Sequence, residues 1–227
     1  MKRTILIVMI LALLPTVRAQ RIHAYLAGGF TLAQVEGDEL KGFKKWGGSG
    51  GVGAIMNITD NGKWRFGVEV DFDQRGFKNK TKNPYNINLT LNYIDIPVSF
   101  YFHDNRGGIT VGAGLMYGRL VQQPHGQLDY PADTFVPDTT DMSWLKNDVA
   151  VQLEFRFTVW RGLQLNLRWQ YSLLPIKKDW TFTEYRQAAN PDVWSNNCYN
   201  HAITARIIYE FGTEDNGGRS SHKRRRR

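Results

Sequence analysis

From residue 20 onward, apolar and polar residues alternate one for one through long stretches of the chain, the period that gives a β-strand two different faces. The clearest run is 149–159. Val149, Val151, Leu153, Phe155, Phe157 and Val159 fall on one side, with Gln152, Glu154, Arg156 and Thr158 on the other. Segment 163–173 repeats the pattern, with Leu163, Leu165, Leu167, Trp169, Tyr171 and Leu173 opposing Gln164, Asn166, Arg168, Gln170 and Ser172. Segment 64–73 sets Trp64, Phe66, Val68, Val70 and Phe72 against Arg65, Glu69, Asp71 and Asp73, and segment 92–102 aligns Ile94, Ile96, Val98, Phe100 and Phe102. Four weaker runs, at 22–33, 47–58, 109–121 and 200–211, bring the expected strands to eight.

The connections supply an independent test. Asp60-Asn61-Gly62 and Trp160-Arg161-Gly162 fit three-residue hairpin loops with a left-handed glycine at the end. In that register Ile58 faces Trp64, Met56 faces Phe66, Val159 faces Leu163, Phe155 faces Leu167 and Glu154 lies opposite Arg168. Asp104-Asn105-Arg106-Gly107 is expected to pair Phe102 with Ile109 and Phe100 with Val111. The remaining connections, 34–46, 74–89, 122–146 and 174–199, are long. Short and long connections therefore alternate, as in a meander that closes on itself with every short turn at one end. The expectation is an all-β fold, an eight-stranded antiparallel up-and-down transmembrane β-barrel over residues 20–212, with both chain ends on the short-turn side. Pro97 would remove a ladder donor from an interior strand, so a bulge is expected at Ile96–Pro97.

Alternation alone does not say which face points outward, because a soluble lipocalin-like ligand-binding barrel turns its apolar face inward. Strands of about eleven residues match the ~9–11 that a tilted membrane crossing needs. Aromatics gather near strand ends (Trp46, Trp64, Phe102, Trp160, Tyr171, Tyr199, Phe211), as interfacial girdles do. With the apolar face in lipid, Arg65, Glu69, Asp71, Asp95, Glu154, Arg156, Arg168, Arg206 and Glu210 enter the lumen, where mixed signs form a pairing network. An eight-stranded lumen is only wide enough for side chains, which argues against a broad pore.

Charge and cysteine count refine this picture. The chain of 227 residues carries a formal charge of +8, but Lys2, Arg3 and Arg18 supply three of those charges and the tail 213–227 a net four. The barrel is nearly neutral, so no nucleic-acid-binding face is indicated. Residues 1–19 read as a cleaved signal peptide, with a basic start, an apolar stretch at 4–14 and Val17-Arg18-Ala19 before the cut. These features place the protein in the cell outer membrane, in contact with its lipid and with both chain ends periplasmic. Residues 213–227 read as a basic, solvated and disordered C-terminal tail, with Arg224, Arg225, Arg226 and Arg227 as candidates to engage periplasmic or secretion-complex proteins.

Candidate chemistry is sparse. The five histidines are scattered, and only His201 and His125 could reach a rim site, with Ser172, Ser195, Asp179 or Asp192 as conceivable partners for a hydrolase or acyltransferase. Glu69 and Asp71 share a face, a pattern open to paired carboxylates for acid–base work or calcium, but the expectation is that they balance Arg65, Arg168 and Arg206 across a narrow lumen. Cys198 is a lone thiol, and the glycines of 47–51 are followed by neither the lysine nor the helix of a phosphate loop. The expectation is no enzyme activity, no cofactor and no metal. The long loops carry Trp144, Trp180, Tyr185 and Trp194, a composition suited either to binding a partner or to capping the barrel.

Three passages resemble the PorT-like outer-membrane β-barrel family of Bacteroidetes. Gly28-Gly29-Phe30-Thr31-Leu32-Ala33-Gln34-Val35-Glu36-Gly37 is similar to the family's opening strand. Phe66-Gly67-Val68-Glu69-Val70, running to Arg75-Gly76-Phe77, is similar to its third strand, and Tyr93-Ile94-Asp95-Ile96-Pro97-Val98 to its fourth. The resemblance spans about residues 22–212. It implies the barrel fold, the outer membrane and tolerance of that proline, and the family's name comes from a member tied to type IX secretion. The long loops, closed lumen and basic tail are the grounds for expecting a scaffold or binding platform, with a component of a type IX secretion complex as its extension.

Overall fold

The computed structural model describes residues 22–40, 42–79, 87–104, 106–129, 135–138, 143–184 and 192–212. The segment read as a signal peptide, Tyr185 and the basic tail with Arg224–Arg227 lie outside the described residues. Eleven strands follow one another: β1 (Ile22–Glu36), β2 (Lys45–Asn57), β3 (Trp64–Lys78), β4 (Ile87–Asp104), β5 (Ile109–Leu120), β6 (His125–Leu128), β7 (Phe135–Pro137), β8 (Asn147–Trp160), β9 (Leu163–Ser172), β10 (Lys177–Glu184) and β11 (Asp192–Glu210). There is no helix among the described residues.

Eight of the strands form the wall, in the order β1-β2-β3-β4-β5-β8-β9-β11, and β11 pairs back onto β1 to close it. All pairings are antiparallel, so the sheet is the closed eight-stranded barrel expected from the alternation. The short turns β2–β3, β4–β5 and β8–β9 sit at one end together with both ends of the described chain. The other three strands lie within the long connections, where only loops were expected. β6 pairs with β4, β10 with β11, and β7 with β10. β3, β4 and β11 also run past their expected ends, and β4, with 18 residues, far exceeds the ~9–11 of a membrane crossing.

Face orientation follows the membrane reading and inverts that of a soluble barrel. Phe155, Leu167 and Val68 are exposed on the outside, whereas Glu154 and Arg168 are 0% and 1% accessible inside. No aqueous barrel exposes such a continuous apolar belt, and in hydrocarbon it is the required arrangement.

Registers agree with the sequence in part. Met56 faces Phe66, Phe155 faces Leu167, and Glu154 faces Arg168. Gly62 takes the left-handed conformation expected of it (φ 67°). Three local expectations are corrected. Leu163 pairs with Trp160 rather than Val159, because Arg161 and Gly162 both adopt positive φ in a two-residue turn and the strand shifts register between Thr158 and Trp160. In the β4–β5 hairpin Phe102 faces Val111 and Phe100 faces Ala113, two residues from the expected pairing. The cause is a compact turn capped by Asp104, whose carboxylate accepts from the backbone N–H of Arg106 (3.2 Å) and of Gly107 (2.8 Å). Those two donors hold its carboxyl below the ordinary aspartate range. Pro97 produces no bulge: Val68 opposite Val98 and Asp71 opposite Asp95 keep one register on both sides of it, and the ladder to β5 runs through Pro97–Met116.

Candidate functional site

The inward residues of the wall build two charged clusters, and the segments above them build an apolar one. Nearest the short turns, Arg65 lies 4.0 Å from Glu210, which also accepts from Gln164 at 2.7 Å. Above this pair stand three arginines and three carboxylates. Arg168 bridges Glu69 (2.9 Å), Asp71 (2.7 Å) and Glu154 (3.0 Å). Arg206 reaches Glu69 and, at 3.2 Å, Asp71. Arg156 pairs with Glu154 at 3.0 Å and lies between the rings of Tyr25 and Tyr101, 4.9 and 4.4 Å from their centroids. Glycines in neighbouring strands make room for those rings. A β-carbon at Gly53 would fall 2.3 Å from the Tyr25 ring, and one at Gly112 would fall 2.3 Å from the Tyr101 ring. Eight of the nine residues expected to enter the lumen therefore meet here. Six are locked together, with Arg65 and Glu210 as a looser pair at the mouth.

A second cluster is centred on Arg75. Its guanidinium reaches Asp73 (2.9 Å), Asp148 (3.2 Å) and Asp95, and lies over the Tyr93 ring. Gln170 donates to Asp73, while Ser172 and Asn200 donate to Asp148, each at 2.9 Å. Sequence reasoning places Asp95 in the lumen but misses Arg75 and Asp148 as part of the network. Both lie just beyond the expected strand limits, and a continued count of alternate positions along β3 and β8 would include them.

Above Arg75 the inward face becomes apolar. Phe77, Ile87, Leu89, Leu91, Tyr93 and Leu120 from the wall pack with Trp144, Ile176, Trp180, Phe182 and Cys198 from the long-loop segments. Trp180 is edge-on to Trp144 with centroids 5.8 Å apart, and its indole N–H donates to the Asp138 carbonyl at 3.0 Å. Burial pushes the Cys198 thiol up to about 12. Burial likewise raises the Asp38 carboxyl, in the β1–β2 connection, to about 8, despite the Leu40 N–H that it accepts. Of the aromatic residues considered for partner binding, Trp144 and Trp180 are consumed by this cap, and Trp194 is half-buried against it.

Among the described residues, the histidines lie apart from the hydroxyls and carboxylates considered as their partners at a rim site. His201 faces outward from the wall, while Ser172 points inward to Asp148. His23 and His103 lie at the short-turn end, and His125 opens β6. Among the described residues, no three of His, Cys, Asp and Glu are grouped so as to hold a metal ion.

A family model described as the outer membrane protein beta-barrel domain matches residues 4–211. Among solved structures, the chain is similar in fold to Ail of Yersinia pestis, at 10% identity and TM-score 0.46, over 84% of this chain and 99% of that one. It is also similar to Neisserial surface protein A (15% identity, TM-score 0.43, 83% and 97%) and to a major outer membrane protein of Thermus thermophilus (10%, 0.43, 86% and 100%). No curated protein matches the sequence.

Proposed function

Because the chain belongs to the outer membrane protein beta-barrel domain family, we propose that it is a non-catalytic, non-conducting binding platform that holds its cap outside the cell. In this reading residues 1–19 are removed on export, and both ends of the mature chain lie in the periplasm. One observation carries the proposal: the lumen is filled along its length, from the Arg65–Glu210 pair through both arginine clusters to the apolar cap. A filled barrel offers no path for solutes, which leaves the loop-end surface as its contribution to the cell. The separation of His201 from Ser172 supports the non-catalytic part.

Reconstitution into planar lipid bilayers tests the reading. We expect no conductance steps from the full chain, and discrete openings would overturn it. Labelling of a cysteine placed at exposed Val193, on intact cells with a membrane-impermeant reagent, tests the orientation. The resemblance to PorT-like barrels extends the proposal to a secretion complex engaged through residues 213–227. Recovery of periplasmic secretion proteins with the full chain, and not with a chain ending at residue 212, supports that role. Equal recovery counts against it.

A further inference from the structure

The lower arginine cluster of the lumen is balanced, with three guanidinium groups against three carboxylates, and the upper one is not. Arg75 alone faces Asp73, Asp95 and Asp148, all of them buried. Lys45, the buried lysine of β2, is engaged elsewhere, with Asn88 Oδ1 at 2.7 Å and Thr90 Oγ1 at 2.6 Å. With every group ionised, the upper cluster keeps two surplus negative charges.

Its oxygens are unevenly served. Asp73 accepts at both, from Thr31 at one and from Arg75 and Gln170 at the other. Asp95 and Asp148 each accept at Oδ2, and among the described residues no donor reaches Oδ1 of either. Asn200 donates its amide N–H to Asp148 at 2.9 Å and leaves its own Oδ1 without a donor. Reversing that amide would turn oxygen toward carboxylate, so its orientation is fixed. The Tyr93 hydroxyl sits beside Asn200 in the field of Asp148, Arg75 and Asp95, yet makes no hydrogen bond of normal geometry. Tyr93 and Asp148 are 0% accessible, Asp95 1% and Asn200 2%. Gly118 stands between Asp95 and Asp148 in the ladder and brings these groups together. A β-carbon there would fall 2.5 Å from Asp95 Oδ1 and 3.5 Å from both Asp148 Cβ and the Tyr93 ring. The bare oxygen of Asp95 therefore lies over Gly118, in a space that Asp148 and Tyr93 border.

Buried polar atoms without partners call for water or an ion. Water would serve the acceptors but leave the surplus charge buried, at a large cost. Oxygens alone, with no nitrogen or sulfur among them, suit a hard cation, and calcium accepts carboxylate, amide and water oxygens in irregular sets. Its two positive charges would bring the upper cluster to neutrality. We propose that Asp95, Asp148, Asn200 and Tyr93 hold a calcium ion in the lumen, between the balanced cluster and the cap. Two carboxylates and two neutral oxygens form this site, so it does not need the grouping of three acidic, cysteine or histidine ligands that the described residues lack. The proposal extends the filled lumen and does not depend on what the loop end binds.

Because the cap covers the cluster, the test refolds the full chain from urea into non-ionic detergent micelles. One sample contains calcium chloride, the other EDTA with sodium chloride at the same ionic strength. Native mass spectrometry should find one calcium ion retained per chain, and Asp95→Asn should lose it. The unfolding constant in urea should fall about tenfold once calcium reaches about ten times its dissociation constant. Sodium chloride should not reproduce that shift, because salt screens buried charges only weakly. No retained calcium, an equal effect of sodium, or unchanged retention in Asp95→Asn overturns the site. Should Asp95→Asn fail to fold, Tyr93→Phe/Asn200→Ala decides the outcome, since it removes both neutral oxygens and leaves every charge. Unaltered retention in that variant overturns the site as well. Bilayer conductance is a separate readout, and discrete openings would defeat the platform reading whether or not calcium is retained.

Discussion

The lumen and the cap are made by the same inward face of the same strands, yet they have opposite chemistry. On β4 that face is ionic at Asp95 and then aromatic and aliphatic at Tyr93, Leu91, Leu89 and Ile87. On β3 the change falls between Arg75 and Phe77, and on β11 between Asn200 and Cys198. Solvent supplies the reason. Where hydrocarbon surrounds the wall, apolar residues face out and ionised ones must pair within. Past the membrane, water surrounds the wall, and the ordinary hydrophobic effect sends apolar side chains inward. The crossover marks the edge of the bilayer as clearly as the girdle does. The two regions also differ in what holds them together: the lumen depends on geometry among charges, the cap on close packing.

Substitutions can force the two regions apart. The largest effect is expected from Arg168→Ala, which leaves Glu69, Asp71 and Glu154 short of a shared counter-ion and should cost about 5 kcal/mol of barrel stability. Urea unfolding in detergent micelles, followed by heat-modifiable migration, measures it. Trp180→Ala should cost about 4 kcal/mol, confined to the cap. Limited proteolysis would then cut the loop segments while the barrel midpoint stays in place, and a shared loss would show the regions to be one cooperative unit. Phe155→Arg, on the lipid face, should cost about 3 kcal/mol in bilayers, and a neutral result would contradict the outward placement of that residue.

The smallest effect concerns pH and the cap alone. The folded cap holds Asp38 protonated up to about pH 8, whereas an opened loop releases that proton near pH 4. The folded state therefore binds more protons between those values, so this contribution is complete below about pH 4 and is lost as pH rises to about 8. The opening free energy of β10, taken from amide exchange after correction for the intrinsic pH dependence of exchange, should fall as pH rises over that window, and Asp38→Asn should abolish the fall.

Much of the barrel is legible in the sequence because two-residue periodicity fixes which face a side chain occupies. The expected β4–β5 register is two residues off, yet every face remains correct, since a slip of two returns each side chain to its own side. What the sequence conceals lies near the crossover. The expected third strand stops at residue 73 and the run preceding the Trp160 turn begins at 149, so Arg75 and Asp148 are missed by two residues and one. The cap is equally hidden, because the rings of Trp144 and Trp180 suit a contact surface and a buried plug alike. Only the partners brought by distant strands decide between them. At Pro97 the backbone simply forgoes a donor on the β3 side without shifting the ladder, an outcome that local rules about proline do not anticipate.

The closing seam has a consequence for biogenesis. Arg206, on the final strand, neutralises acids carried by the third, and Tyr25, on the first, donates to Glu69 at 2.7 Å. Until head and tail of the sheet zip together, Glu69 and Asp71 lack one of their two cations, and a half-inserted intermediate would expose bare anions to the bilayer. Insertion therefore reaches its electrostatic minimum only at the last step, and a nascent chain lacking its C-terminal hairpin has no comfortable resting place in the membrane.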